Sequence, residues 1–280
     1  MAYCNIDKLT MTEEEFEKFR KLIYEKIGIN LLQHKKIMLQ GRIKKRLKKL
    51  KICSFSEYYD IIQNNREELV EMFNVVSTNK TEFFRENHHF EFLEEILPEM
   101  ININSNAGEY KFSIWCAASS TGEEPYTIAM TLAKFSTLKN WKTKIVASDI
   151  STNVLEKAAS GIYSEEIVSK IPKDMLKKHF KKIDEESYQV NKDLKEMIKF
   201  KRINLVDGNY PFQGQFEIIF CRNVMIYFDR KTQVEIVENF MKVLKKGGYL
   251  ILGSSESLPP EVIKTMDLKR IKSTIFQKLY

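Results

Sequence analysis

The sequence predicts an α/β protein: a mostly parallel sheet domain with crossover helices, preceded by a small N-terminal all-helical domain and interrupted by an inserted subdomain. Three observations carry this prediction. Apolar residues recur at three- and four-residue spacing from Thr12 to about Gln63, a polar break occupies residues 102–109, and beyond it short apolar runs alternate with helical stretches. The length of 280 residues, with 43% hydrophobic and 30% charged residues, 10 Gly and 6 Pro, supplies ample core material and excludes a disordered or repeat-built chain.

In the first domain, residues 1–75, Thr12 and Glu15 have capping-box spacing ahead of Phe16, Phe19 and Ile23. A second helix follows through Met38, Ile43, Leu47 and Leu50, and a third begins at Ser56 and carries Tyr58, Tyr59 and Ile62. Residues 76–109 read as a linker and connecting helix, with 102–109 as loop. In the sheet domain, residues 110–280, strands are expected at 112–117, 144–148, 216–221 and 249–252, and helices at 126–135, 152–159 and 231–244. Lys245-Lys246-Gly247-Gly248 reads as a helix stop. The charged, less periodic stretch around 162–200, with Pro172 and Asp184-Glu185-Glu186, reads as the insertion.

No apolar run approaches the roughly 18 to 20 residues of a spanning helix. The start, with Asn5, Asp7 and Lys8, lacks the apolar core of an export signal. Cys4, Cys53, Cys116 and Cys221 are scattered, with no CxxC pair and no His at zinc spacing, so reduced structural thiols in a cytoplasmic protein and no bound metal are expected. His88 and His89 are adjacent on a helix, diverge by about 100 degrees and cannot chelate one ion together. Phe83, Phe84, Phe90 and Phe92 read as core anchors.

The net charge of +7 is unevenly placed: residues 35–51 hold nine basic residues and no acid. On that helix Arg42, Lys45 and Lys49, with Lys48 flanking, occupy one side, while Met38, Ile43, Leu47 and Leu50 occupy another. Together with Arg46 these cations are the candidate docking residues for an anionic partner.

The chemistry concentrates after the first strand. Ala117-Ala118-Ser119-Ser120-Thr121-Gly122-Glu123-Glu124-Pro125 places small residues at a strand-to-helix turn. The segment is not GxGxxG, and its two glutamates would repel a pyrophosphate at the helix start. Asp149, 27 residues after Gly122, ends the second strand, where a carboxylate can accept both hydroxyls of a ribose. Glu123 can bind an amino group. A small-residue turn, two acids and no basic phosphate ligand suit a cationic nucleoside such as S-adenosylmethionine better than NAD.

Seven ordered blocks then make the chain resemble the chemotaxis receptor methyltransferase family, enzymes that methylate chemoreceptor glutamates with S-adenosyl-L-methionine. They are Thr78-Asn79-Lys80-Thr81-Glu82-Phe83-Phe84-Arg85, the run from Trp115 to Tyr126, Ala147-Ser148-Asp149-Ile150, Gly161-Ile162-Tyr163, Asn204-Leu205, the run from Phe220 to Asp229, and Gly253-Ser254-Ser255-Glu256-Ser257. The resemblance implies a Rossmann-like methyltransferase domain and S-adenosyl-L-homocysteine as product. It implies Asn79, Thr81 and Arg85 at the cofactor, with Arg85 on the methionine carboxylate, Glu123 on the amino group and Asp149 on the ribose. Asn204 and Leu205 would border the adenine, and Arg222, Asn223 and Tyr227 would lie near the reacting methyl, with Arg85 and Tyr227 the catalytic candidates. The implied partner is the cytoplasmic helical region of chemoreceptors, reached by a monomer that meets the membrane only through them, with no nucleic acid. Family members that tether to a receptor's terminal peptide use a glycine-containing loop in the insertion. Here Ile183-Asp184-Glu185-Glu186 has no glycine, so direct docking alone is expected. A methyltransferase of RNA or of a small molecule, or a non-catalytic cofactor sensor, are the alternatives.

Overall fold

The structure is a computed structural model and describes residues 5–280. Its first domain packs α1 (Glu13–Ile27), α2 (Lys36–Leu50), α3 (Phe55–Asn64) and α4 (Arg66–Val76) around Phe16, Phe19, Ile23, Leu39, Ile43, Leu47, Tyr58 and Met72. The capping box of Thr12 and Glu15 is formed in both directions. Ser54 accepts from the Glu57 amide and caps α3, two residues ahead of the expected start at Ser56. The inward face of α2 is Leu39, Ile43, Arg46 and Leu47, whereas Leu50 is exposed.

α5 (His88–Asn106) connects the domains and runs through most of the stretch expected to be loop. Its polar end is held from outside: Asn104 Nδ2 donates to the Lys111 carbonyl at 3.1 Å, and the helix closes at Gly108, φ +71°. Phe83, Phe90 and Phe92 are core residues as expected, with Phe84 packed against them.

The sheet domain follows as β1 (Lys111–Cys116), α6 (Glu123–Leu132), β2 (Lys142–Asp149) and α7 (Thr152–Ser160). Next come β3 (Ile162–Ser164), α8 (Glu165–Val168), α9 (Lys173–His179), β4 (Phe180–Lys182), β5 (Ser187–Val190), α10 (Lys192–Glu196) and β6 (Ile198–Arg202). The chain ends through β7 (Phe216–Cys221), α11 (Arg230–Val243), β8 (Leu244–Leu252), α12 (Pro260–Thr265), β9 (Leu268–Lys272) and β10 (Ile275–Lys278). The large sheet has the order β6-β2-β1-β7-β8-β10-β9, parallel from β6 to β8 and antiparallel at β10 and β9. A separate antiparallel sheet, β3-β5-β4, sits within the expected insertion, but β6 belongs to the large sheet, so residues 198–200 are not part of it.

The central strands β1, β2 and β7 are buried on both faces over most of their length, and alternation divides their side chains between two cores. Ile114 and Cys116 face one cluster with Phe90, Tyr126 and Ile145; Trp115 and Ala117 face the other with Tyr210, Phe216 and Phe240. The expected helix stop at 245–248 is corrected: α11 ends at Val243 and the strand begins at once. Lys245 is drawn there by Glu217 at 2.7 Å and Glu109 at 2.8 Å, and Gly247 takes φ +75° where the pairing with β7 shifts register.

Cys116 and Cys221 are buried free thiols. Cys53 departs from the expectation of reduced thiols, being disulfide-bonded, and Cys4 lies outside the described residues. Among the described residues no helix is long and apolar enough to cross a membrane, and no group of three or more His, Cys, Asp or Glu is placed to hold a metal ion.

Candidate active site

The carboxyl ends of β1, β2 and β7, three adjacent strands, open on one cavity, as expected where strand order reverses in a parallel sheet. After β1 the chain turns through Ser120, φ +46°, and Gly122, φ +99°. A Cβ on Gly122 would lie 2.7 Å from the Tyr163 hydroxyl and 2.9 Å from the Ala158 Cβ, so both the turn and its packing require glycine.

β2 delivers Asp149. Its Oδ2 accepts from the Ser120 amide at 2.9 Å and its Oδ1 from the Ser151 amide at 3.0 Å. Burial pushes this carboxyl upward, and the backbone donors of Ser151, Ser120 and Ile150 oppose the shift.

β7 delivers Arg222, whose two terminal guanidinium nitrogens are both engaged. It donates to Glu124 Oε2 at 2.6 Å, to Glu86 Oε2 at 3.0 Å and to the Arg85 carbonyl at 2.5 Å, and lies over the Phe90 ring. Asn223 follows at φ +58°.

The cavity is about 500 Å³ and is walled by both domains and the segment between them. The helical domain contributes Asn30, Leu31, Lys35, Met38 and Arg42, and the connecting segment contributes Ser77 to Thr81 and Arg85. Its backbone is held on three sides. Arg42 donates to the carbonyls of Val76 and Ser77 and to Thr78 Oγ1, Ser120 Oγ donates to the Asn79 carbonyl at 3.0 Å, and Arg85 donates to the Lys80 carbonyl at 2.8 Å. The domains also meet directly: Ile29 and Phe228 form an antiparallel bridge, the Asn30 amide donates to the Tyr227 carbonyl at 2.8 Å, and the Tyr24 hydroxyl donates to Asp229 at 2.7 Å.

Of the residues singled out in the sequence, Asn79, Thr81, Arg85, Asp149, Asn204, Leu205, Arg222, Asn223 and Tyr227 all line this cavity. Glu123 does not. It is 3% exposed and its carboxylate accepts from Thr121 Oγ1 at 2.6 and 2.9 Å; burial pushes it upward. The neighbouring Glu124, one helical step of about 100 degrees away, faces the cavity instead. Arg46 is also corrected as a docking residue. It is 6% exposed and buried against Glu68 at 2.6 Å and Glu71 at 2.8 Å, a set completed by the Tyr58 hydroxyl on Glu68. Arg42 is turned inward on the cavity wall, half-buried. Lys45 and Lys49 are exposed, and Lys48 is exposed but pairs with Asp7 at 2.6 Å.

Two carboxylates that the sequence reading did not single out hold the wall in shape. Glu86 accepts from Arg222, from Asn223 Nδ2 at 3.2 Å and from the Ser254 amide at 3.0 Å. Burial alone would raise its pKa, but the Asn223 hydrogen bond and the Arg222 charge outweigh it and lower the pKa to about 2. Glu256 accepts from the amides of Gly253 at 2.6 Å, Asn223 at 2.9 Å and Met225 at 2.7 Å, and burial raises it against those donors. Their signals were present: Glu86 follows Arg85 directly, and Glu256 sits in the motif Gly253-Ser254-Ser255-Glu256-Ser257. Among the described residues, four of the six non-glycine residues with positive φ, namely Phe84, Glu86, Ser120 and Asn223, lie in these loops, and backbone of this kind clusters at functional sites.

The acids Asp149 and Glu124 come from the sheet edge, Lys35 and Arg42 from the helical domain, and Lys80 and Arg85 from the connecting segment. Such a cavity suits a zwitterionic nucleoside with hydroxyls for Asp149 and a carboxylate for a guanidinium. Its volume lies within the range of about 300 to 1,000 Å³ typical of small-molecule sites, and S-adenosylmethionine fits this donor set.

Two family models match the chain: "CheR methyltransferase, all-alpha domain" over residues 14–77 and "CheR methyltransferase, SAM binding domain" over residues 79–274. The chain is 40% identical over 255 residues to the chemotaxis protein methyltransferase of Borreliella burgdorferi, covering 89% of this chain and 90% of that one. It is 39% identical over 256 residues to that of Escherichia coli, covering 90% and 87%, and 38% identical over 255 residues to that of Salmonella typhimurium, covering 89% and 86%.

Proposed function

The chain belongs to the CheR methyltransferase family, and on that premise we propose that it transfers a methyl group from S-adenosyl-L-methionine to glutamate carboxylates of chemoreceptors, forming methyl esters for chemotactic adaptation. The observation that carries this reading is Asp149, fixed by two backbone amides on the wall of a cavity shared by both domains.

In this reading Asp149 holds the ribose hydroxyls, Asn204 and Leu205 border the adenine, Asn79 and Thr81 line the segment across from them, and Arg85 meets the methionine carboxylate. Glu124 takes the place expected of Glu123 at the amino end, because it is the glutamate that reaches the cavity. The bound donor supplies an electrophilic methyl on a sulfonium. An acceptor glutamate is already ionised at neutral pH and needs no general base. The protein's task is therefore to align and partly desolvate that carboxylate. Arg222 is committed to Glu124, Glu86 and the Arg85 carbonyl, so we assign it to shaping the wall. Orienting the acceptor falls to Tyr227 and Arg85.

Lys45 and Lys49, aided by Lys48, present positive charge to the acidic cytoplasmic helices of a receptor, which the protein meets as a monomer. The glycine-free turn at residues 183–186 favours direct docking over capture of a receptor tail. Incubation with methyl-labelled S-adenosylmethionine and chemoreceptor-containing membranes tests the reading: base-labile label on receptor glutamates is expected. Label in RNA, or none in receptors, contradicts it.

A further inference from the structure

The cavity mouth carries two large apolar side chains exposed to solvent, Leu32 at 55% and Ile226 at 52%. They come from different domains. Leu32 precedes α2, and Ile226 lies in the turn after β7; the bridge between Ile29 and Phe228 and the hydrogen bond from Asn30 to Tyr227 set these two stretches side by side. Lys35 and Lys80, also exposed, stand on the same rim. Isolated exposed apolar residues are ordinary on a protein surface. Two of them facing one cavity entrance, flanked by cations, form a recognition edge.

We propose that Leu32 and Ile226 form an apolar clamp that selects the acceptor glutamate by its neighbours, gripping apolar side chains about one helical turn away from it on an amphipathic, acidic acceptor helix. The inference rests on the methyl-transfer reading and adds to it a specificity element. Lys45 and Lys49 on α2 attract acidic surface at a distance and do not distinguish one glutamate from the next. The clamp does so at the entrance, because a glutamate enters between residues 32 and 226 only if the groups on either side tolerate apolar contact. Residues one turn apart lie on one helix face, so a single acceptor helix can present the carboxylate and its apolar neighbours together. Charge complementarity with Lys35 and Lys80 and continuity with the transfer site favour this occupant over a second copy of the chain.

The test uses the full chain with Leu32→Asn, Ile226→Asn and the pair combined. Initial rates of methyl incorporation are read against receptor concentration, and calorimetry reads affinity for S-adenosylhomocysteine. The paired variant is expected to raise the acceptor KM at least tenfold, with product affinity within twofold and the loss persisting at high salt. The charge reversals Lys45→Glu and Lys49→Glu, in contrast, should lose their effect as salt rises. An unchanged acceptor KM overturns the clamp, as does a parallel loss of product affinity, which would place the two residues in the cofactor site. Sedimentation showing a dimer of the wild type that the paired variant dissolves would assign the rim to self-association and also overturn it. If the wild-type protein binds the product but labels no receptor, the methyl-transfer reading itself fails, and a clamp for that acceptor falls with it.

Discussion

Asp149 is fixed by the Ser120 and Ser151 amides where it lines the cavity. Asp149→Ala should therefore remove measurable affinity for S-adenosylhomocysteine by calorimetry, because the charge-assisted bonds it offers are lost. Glu86 makes a prediction in pH. Its folded pKa of about 2 lies below the ordinary 4.5, so its contribution to stability is complete above pH 4.5 and lost as pH falls toward 2. Thermal melts of the wild type and Glu86→Gln should differ most above pH 4.5 and converge toward pH 2; a constant gap would show that the Arg222 contact contributes nothing through charge. The pair Glu123 and Glu124 shows what a linear reading lacks: both acids were visible at a helix start, but which one faces the cavity depends on rotation about the helix axis.

At the scale of the element, α2 separates two kinds of basic residue that look alike in sequence. Arg46→Ala leaves Glu68 buried beside Tyr58 without its cation, and is expected to destabilise the chain by about 3 kcal/mol in denaturant melts. Lys45→Glu with Lys49→Glu should leave stability and product affinity in place and weaken receptor methylation. Equal destabilisation in both experiments would contradict this division. The helical period of α2 was legible; the partners Glu68 and Glu71 were not, since they lie a helix away. Likewise α5 continues through a polar stretch in which Asn104 donates to the Lys111 carbonyl at the start of β1 and, at 3.4 Å, to Glu217, a partner far along the chain. The turn at Gly122 was legible as a ligand approach, and the structure adds its packing. Gly122→Ala is expected to strain a backbone at φ +99° and drive a methyl into Tyr163 and Ala158, costing about 1 to 3 kcal/mol of stability in a melt.

Across the whole molecule, the site exists only where the domains join. The sheet edge brings Asp149 and Glu124, the connecting segment brings Asn79, Thr81 and Arg85, and the helical domain closes the far side with Arg42 and Met38. Alternating apolar runs made the parallel sheet legible, and the ordered motifs made most of the wall legible. The carboxylates that brace it, Glu86 and Glu256, sit beside or within those motifs, but their partners Arg222, Asn223 and Met225 are remote in sequence and came into view only with the fold. The most direct test of this shared cavity as the methyl-donor site is calorimetric titration of S-adenosylhomocysteine into the wild-type chain and into Asp149→Ala. One equivalent bound by the wild type and none by the variant is the expected result. No binding to the wild type, or equal affinity in the variant, would contradict it.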